Sequence, residues 1–179
     1  RRFPQYVAVD VETTGISAKT SDIIEIGCVA YDEDGVERDR WSTLIRPRVN
    51  EEGVLDTGPV DVHGITPEDV ADAPGIEESL AEFERRTQGA CLIGHNLAFD
   101  LRHLRYAMDQ DRQARGLPAG NYPWIAGVDT FWRTARTVDG LPNRKLATVA
   151  EHYGVEYTDG HRAEHDAKVA GDVFFRMTE

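Results

Sequence analysis

Acidic residues stand at the end of the first apolar segment of the chain. Asp10-Val11-Glu12 ends a run that begins at Tyr6 and is typical of a buried strand. Residues i and i+2 of a strand point to the same face, about 6.6 Å apart, so the two carboxylates should lie side by side. Such a pair repels itself unless a cation lies between its members, and Mg²⁺ and Mn²⁺ prefer oxygen ligands. For Asp-x-Glu alone, an exposed acidic pair at a strand end is the simpler alternative.

Two further acids stand near predicted helix starts. Asp100 follows a short buried strand, where it is either a ligand at a strand end or an acid that complements the helix dipole. Asp166 comes five residues after His161, and positions five apart diverge by about 140° on one helix. His161 can therefore share a site with Asp166 only from the loop before that helix. The rival His165 is predicted to point away from Asp166, and an exposed, charged helix start is the alternative for the whole segment.

The elements predicted around these residues belong to an α/β domain with a mixed central sheet. Three strands form an antiparallel meander, and the remaining strands alternate with helices on both sides of the sheet. The strands are predicted at 6–10, 23–31, 36–45, 90–94 and 124–128, and the helices at 76–89, 99–116, 146–153 and 164–177, with a further helix capped by Asp129 or Thr130. The stretch 47–75 is rich in Gly, Pro and Asp and is predicted to be irregular, with Thr66 capping a turn.

Composition narrows the function classes. The 179 residues contain 20 Lys and Arg against 32 Asp and Glu, a net charge of −12, and predict a single domain over 1–179. No run approaches the ~20 apolar residues of a membrane helix, and no signal-peptide segment is visible. Cys28 and Cys91 are too few for a disulfide scaffold, so we expect reduced thiols in a cytoplasmic protein. The acidic balance disfavours a protein that coats duplex DNA, but not an enzyme that holds a nucleic-acid end through metal ions.

Taken in order, the motifs resemble those of the DnaQ-like DEDDh exonucleases, a family that includes the proofreading epsilon subunit of bacterial replicative DNA polymerase, RNase T and oligoribonuclease. The resemblance implies a ribonuclease H-like fold and 3′→5′ removal of nucleoside 5′-monophosphates with two divalent metal ions, Mg²⁺ or Mn²⁺. It is carried by Asp10-x-Glu12-Thr13-Thr14-Gly15, His95-Asn96-x-x-Phe99-Asp100 and His161-x-x-x-x-Asp166, with Ile23 to Gly27 and Val62 to Ile65 similar to the proofreading branch.

The resemblance also implies roles for single residues. Four acids would hold the metals and one histidine would be the general base: Asp10, Glu12, Asp100 and Asp166, with His161. The residues expected to touch the substrate are Thr13, Thr14, His63, Asn96 and Phe99, and each has a structural alternative in a turn, a packed loop or a helix core. Glu25, a lone acid in an apolar strand, is interpreted as a structural residue that supports the site.

The expected substrate is the 3′ end of single-stranded nucleic acid. The pair Thr13-Thr14, where oligoribonucleases have Met-Thr, disfavours that branch of the family. The chain also lacks the dense set of phenylalanines with which RNase T grips RNA ends. Both observations favour DNA over RNA. A DNA polymerase subunit is a partner by analogy, in proofreading or repair. The alternatives are an exoribonuclease, a non-catalytic polymerase-binding module and a small-nucleotide phosphohydrolase. A basic cluster, Arg133, Arg136, Arg144 and Lys145, either contacts the substrate backbone or is a solvated face, and Trp132 is assigned to the scaffold.

Overall fold

The computed structural model describes residues 6–158 and 162–179. A five-stranded mixed sheet, in the order β3-β2-β1-β4-β5, forms the middle layer. The strands are β1 (Tyr6–Thr13), β2 (Ile23–Tyr31), β3 (Glu37–Leu44), β4 (Cys91–Gly94) and β5 (Ala126–Asp129). The helices are α1 (Val60–His63), α2 (Pro67–Val70), α3 (Ile76–Thr87), α4 (Leu97–Ala114), α5 (Thr130–Thr137), α6 (Leu146–His152) and α7 (Ala163–Met177).

The sheet topology confirms the predicted antiparallel meander followed by parallel strands. β1 pairs antiparallel with β2 and β2 with β3, whereas β4 pairs parallel with β1 and β5 parallel with β4. The carboxyl ends of β1, β4 and β5 therefore meet at one edge of the sheet, where α/β proteins place their ligand sites. β1 extends three residues beyond its predicted end at Asp10, because Glu12 and Thr13 still pair with β2.

The connection 47–75 is more ordered than its composition predicts. It contains the short helices α1 and α2 and an isolated antiparallel bridge between Val49 and Leu55. The predicted cap at Thr66 is confirmed as a reciprocal capping box, in which Asp69 N–H donates to the Thr66 hydroxyl and Thr66 N–H donates to the Asp69 carboxylate. Helices this short leave only a weak periodic signal, which is why the sequence pattern misses them.

The two faces of β1 pack against different helices. Val7, Val9 and Val11 are buried in a cluster that includes Leu80 and Phe83 of α3 and Leu104 and Met108 of α4. On the opposite face, Ala8 packs in a second cluster with residues of α7. Because side chains alternate along a strand, Asp10 and Glu12 lie on the α7 face. The apolar row of β1 thus becomes acidic where it reaches the carboxyl edge of the sheet.

Gly27 allows α7 to approach the sheet beside the acids. It pairs with Asp10 in the β1–β2 ladder, and a Cβ atom at this position would collide with the backbone of Ala163 and Glu164. The first turn of α7 therefore lies directly on β2, one strand away from Asp10. Among residues 6–158 and 162–179, no helix is both long and apolar enough to cross a membrane.

Candidate active site

Three carboxylates meet at the carboxyl edge of the sheet. Asp10 and Glu12 come from β1, and Asp166 comes from the first turns of α7. One oxygen from each of the three lies within 4.8 Å of the other two. The i, i+2 spacing on β1 places the first two on one face, and the close docking of α7 on β2 adds the third. The sequence-predicted acids from the two ends of the chain are therefore brought together.

Asp100 approaches the same strand end from α4. Its buried carboxylate accepts a hydrogen bond from the backbone N–H of Val11, at 3.3 Å, and Val11 lies between the two acids of β1. The hydrogen bond ties the first turn of α4 to the end of β1. Asp100 is thus a close neighbour of the three-acid cluster, although it is not one of the three whose oxygens lie within 4.8 Å of each other.

The acids raise one another's pKa values. Burial, followed by repulsion from Asp100, Glu12 and Asp166, raises the pKa of Asp10 well above its ordinary value. The pKa of Glu12 rises from 4.5 to about 8, mainly through burial and then through the charges of Asp166 and Glu25. Burial is also the main reason that the pKa of Asp100 is raised, opposed by its hydrogen bond from Val11. Without added positive charge, the cluster therefore tends to retain protons near neutral pH.

Glu25 braces the start of α7. It lies opposite Glu12 in the β1–β2 ladder, where two like charges would ordinarily destabilise the pair. Its carboxylate, 2% exposed, accepts hydrogen bonds from the backbone N–H of Ala163 at 2.7 Å and from the guanidinium of Arg162 at 2.7 and 3.0 Å. The buried charge is thus compensated, and the helix that carries Asp166 is fixed to β2. This contact agrees with the interpretation of Glu25 as a residue that supports the site.

The donor set fits hard divalent cations. Carboxylate oxygens are the ligands that Mg²⁺ and Mn²⁺ prefer, and three acids within 4.8 Å of one another provide them. Asp10 Oδ2 is buried and has no hydrogen-bond partner among the described residues. An uncompensated buried carboxylate oxygen is costly unless a cation or water reaches it. The residues present therefore fit a metal site centred on Asp10.

The proposed general base, His161, lies outside the described residues. The rival histidine is described: His165 Nε2 lies 3.4 Å from the hydroxyl of Thr158, and its ring lies 5.4 Å from that of Tyr157. These contacts engage His165 with the segment before α7.

Three of the substrate candidates, Thr13 and Thr14 at the end of β1 and His63 in α1, use their polar groups within the protein. The Thr13 hydroxyl donates to the carbonyl of Gly15 at 2.7 Å, and the Thr14 hydroxyl accepts from the N–H of Asp22 at 2.9 Å. His63 is 2% exposed; its Nε2 donates to the Thr57 carbonyl, and its Nδ1 accepts from Ile65 N–H. These bonds correspond to the structural alternatives, a plain turn for the threonines and a packed loop for the histidine.

The two substrate candidates from the β4–α4 turn remain near the surface. Asn96 is exposed and adopts a left-handed conformation, φ 62°, which asparagine tolerates better than most residues. The ring of Phe99 is half-buried against His103, with 4.6 Å between ring centroids. His103 in turn bonds the carbonyl of Ile16, whose side chain is 80% exposed. Phe99 therefore belongs both to the packing of α4 and to the partly exposed rim beside Asp100.

Asp129 supports the turn before Asp100 in addition to capping α5. The sequence predicts Asp129 or Thr130 as the cap of α5, and Asp129 is the cap: its carboxylate accepts from Phe131 N–H at 3.0 Å. The same carboxylate also accepts from the N–H groups of Asn96 and Leu97, both at 2.9 Å. One side chain thus fixes the starts of two helices, α4 and α5. The second contact spans more than thirty residues, so sequence spacing gives no signal for it.

Comparison with known proteins decides the family. The model of the RNase_T exonuclease family matches residues 7–174. The chain belongs to this exonuclease family. The DNA polymerase III PolC-type of Caldanaerobacter subterraneus is 32% identical over 175 residues, which are 98% of this chain and 12% of that protein. The DNA polymerase III subunit epsilon of Treponema pallidum is 30% identical over 174 residues, 96% of this chain and 75% of that protein. The DnaQ-like resemblance is thereby confirmed, and this exonuclease domain spans about an eighth of the PolC-type relative.

Solved structures confirm the ribonuclease H-like fold. The zinc-bound complex of E. coli exonuclease I with single-stranded DNA superposes with a TM-score of 0.81 at 16% identity, covering 99% of this chain and 41% of that one. A second exonuclease I structure gives a TM-score of 0.79, also at 16% identity, over 97% of this chain and 40% of that one. At this identity the likeness establishes the fold of the domain.

Proposed function

We propose that this domain is a divalent-metal-dependent 3′→5′ exonuclease that releases nucleoside 5′-monophosphates from single-stranded DNA. The observation that carries the proposal is the meeting of Asp10, Glu12 and Asp166, with oxygens within 4.8 Å of one another and a buried Asp10 oxygen that lacks a partner among the described residues. Membership of an exonuclease family supports the reaction class. The names of the relatives, DNA polymerase III PolC-type and subunit epsilon, support DNA as the polymer and replication as the setting.

In this mechanism Asp10, Glu12 and Asp166 would hold the cations, and Asp100 would complete the set from the α4 side of the strand end. When bound, two divalent ions lower the pKa of an attacking water and stabilise charge on the leaving 3′-oxygen. The chain supplies positioning: β1 and its ladder with β2 fix two of the acids, and Glu25 fixes the helix that carries the third. Ligands held on rigid elements keep their geometry between turnovers.

His161 is proposed as the general base. An imidazole with an unperturbed pKa near 6.5 can accept the proton of the attacking water at a ring nitrogen at neutral pH. In the sequence His161 directly precedes Arg162, whose guanidinium donates to the Glu25 carboxylate. The family resemblance supports removal from the 3′ end, and the relatives' names support DNA as the substrate.

The test is product analysis on matched DNA and RNA oligomers with either the 3′ or the 5′ end blocked, in Mn²⁺. The expected result is release of 5′-monophosphates from DNA with a free 3′ end, and no release when that end is blocked. Asp10→Ala should abolish activity at any Mg²⁺ or Mn²⁺ concentration. Release from RNA alone would identify an exoribonuclease, and release only from mononucleotide esters would identify a small-nucleotide phosphohydrolase. A folded wild-type protein without activity on any of them would be a binding module.

A further inference from the structure

A strip of unpaired positive charge with an exposed tryptophan lies on α5 and on the segment before α6. It consists of Trp132, Arg136, Arg144 and Lys145, and we call it the α5 strip. All four residues are exposed, and the Trp132 side chain is 53% exposed. Trp132 and Arg136 are four apart on α5 and so share a helix face. The exposure of Trp132 contradicts its assignment to the scaffold, since a scaffold tryptophan would be packed.

The strip differs in charge from the rest of the molecule. The chain has a net charge of −12, yet residues 130–148 contain four cationic side chains and a single acid, Asp139. Eight described arginines elsewhere pair with carboxylates, as Arg86 does with Glu82 and Arg115 with Asp111, although single arginines such as Arg46 and Arg176 do not. Within the described residues, none of the three cations of the strip forms an ion pair or a side-chain hydrogen bond. These charges are therefore available to an external anion.

Parallel strand pairing connects the strip to the acid cluster. The registers pair Ala8 with Ile93 and Ile93 with Val128. Two residues further along each strand, Asp10, His95 and Thr130 therefore stand in one row at the carboxyl edge of the sheet. β1 and β5 are separated by one strand, so this row spans about 10 Å. A polymer end held at Asp10 would reach the start of α5 within a few nucleotides.

Side-chain contacts continue the row outward. His95 Nδ1 lies 2.9 Å from the Thr130 hydroxyl, and His95 Nε2 donates to the backbone carbonyl of Arg144 at 2.7 Å. The His95 ring meets Phe131 edge-on at 5.6 Å, and Phe131 meets Trp132 at 5.3 Å. His95 thus attaches both parts of the strip, α5 and the segment before α6, to the turn that precedes Asp100.

We infer that the α5 strip binds the single-stranded nucleic acid that leads to the acid cluster, with Trp132 stacking on one base and the cations contacting phosphates. This inference rests on the proposed function and adds to it the surface that holds the polymer. Positive charge along a path, with an aromatic ring among it, is the usual way in which proteins hold single strands without reading their sequence. Arg136 and Arg144 offer planar donors suited to phosphate oxygens. The acid cluster can hold the end of the strand, but it cannot hold the phosphates that follow.

Arg133 provides a matched control on the same helix. Its guanidinium lies over the ring of Phe174 on α7, 5.9 Å from the centroid, which places it outside the strip. Arg133→Gln removes the same charge from α5 as Arg136→Gln does. A difference between these two variants therefore reports position and not net charge.

The test compares hydrolysis of a DNA dinucleotide and a single-stranded DNA 20-mer in Mn²⁺. Trp132→Ala should raise KM for the 20-mer roughly 5- to 150-fold, with kcat and dinucleotide kinetics unchanged. The triple variant R136Q/R144Q/K145Q should weaken the dependence of log kcat/KM on log salt by about 2, since each single-strand phosphate contact contributes about 0.7. Arg136→Gln alone should weaken that dependence by about 0.7, whereas its control Arg133→Gln should match the wild type on both substrates. A wild-type rate on the 20-mer in the strip variants, or an equal loss on both substrates, would overturn the inference.

A binding measurement separates failure of the strip from failure of the proposed function. The 20-mer is titrated in EDTA, where the fluorescence of Trp132 should be quenched on stacking and the quenching should be lost in Trp132→Phe. If the wild type hydrolyses neither substrate, the proposed function fails, and salt-dependent quenching by the 20-mer still supports the strip. If hydrolysis proceeds without quenching and without an effect of the strip variants, the function stands and the strip is refuted.

Discussion

Replacing Glu12 with glutamine should stabilise the metal-free protein at pH 8 and leave it unchanged near pH 4.5. Burial and the charges of Asp166 and Glu25 raise the pKa of Glu12 from 4.5 to about 8 in the folded protein. The folded state therefore holds a proton that the unfolded chain releases near pH 4.5. The stability associated with the protonated acid is fully present below pH 4.5 and is lost as pH rises through about 8.

The size of this effect follows from the pKa change. A rise from 4.5 to about 8 corresponds to a free-energy penalty on the order of 4 kcal/mol at pH 8. Glutamine carries no charge and avoids that penalty. For a domain of this size, ~4 kcal/mol shifts the melting temperature by roughly 8–16 °C. In EDTA at pH 8 we thus expect Glu12→Gln to melt above the wild type, whereas at pH 5 the difference should fall below about 1 kcal/mol.

Mn²⁺ should narrow the difference in stability between the two proteins. Cations that bind the acids stabilise the folded state, by about 2.7 kcal/mol when the free ion is at 100 times its Kd. Wild type should gain this stability at pH 8, and Glu12→Gln, which lacks one ligand, should gain less. The measurement is thermal unfolding by circular dichroism at pH 5 and pH 8, with EDTA or with excess Mn²⁺. Glu33→Gln, a change at an exposed acid, is the control and should follow the wild type. A Glu12→Gln protein that melts below the wild type in EDTA at pH 8 would refute the reasoning.

The remaining predictions concern the general base and α7, the helix that carries the third acid. His161→Ala should lower kcat by about 10²–10⁴-fold with metal affinity retained, measured by single-turnover hydrolysis and calorimetry; a near-normal rate would promote His165 to the base. Gly27→Ala should lower the free energy of unfolding by about 1–3 kcal/mol, and the displacement of α7 should lower kcat. Melting curves and steady-state kinetics measure the two effects. An unchanged protein would show that α7 tolerates the extra atom. Arg162→Gln should destabilise the folded protein by about 1–3 kcal/mol, since it leaves the Glu25 carboxylate buried with less compensation. The double variant Arg162→Gln/Glu25→Gln should recover most of that loss, measured by denaturant unfolding. Additive losses in the double variant would contradict the pairing.

The elements of the fold are largely readable from periodicity. β2 matches its predicted bounds of 23–31, and α3, α4, α6 and α7 begin and end within about two residues of the predicted positions. Each of these elements buries one apolar face, so its apolar residues recur with the period of a helix or a strand. The misses are of two kinds. The helices α1 and α2 are only four residues long, too short to give a clear period. The predicted end of β1 at Asp10 is three residues early, because the acids at the end of the strand interrupt its apolar pattern.

The site divides in the same way. Asp10 and Glu12 could be placed on one face from their spacing alone, since the strand period is local. That Asp166 would join them could not be derived from spacing, because it depends on the docking of α7 on β2. This docking requires Gly27 and Glu25, whose roles arise only from contacts more than a hundred residues apart. The family resemblance supplied the long-range information that local physical chemistry does not contain.

Long-range contacts also explain why an apolar strand tolerates the cluster. Asp10 and Glu12 stand where repulsion opposes folding, and their raised pKa values measure that opposition. The ladder with β2 holds β1 in register from Tyr6 to Thr13 regardless of the charge at its end. Glu25, a further acid beside the cluster, fixes the start of α7, since its carboxylate accepts hydrogen bonds from Ala163 N–H and from the Arg162 guanidinium. The domain thus keeps its acids close together by tying each to backbone that is stabilised elsewhere. The fixed backbone also leaves carboxylate oxygens close together and short of hydrogen-bond partners, a need that a bound divalent cation would meet better than protons do.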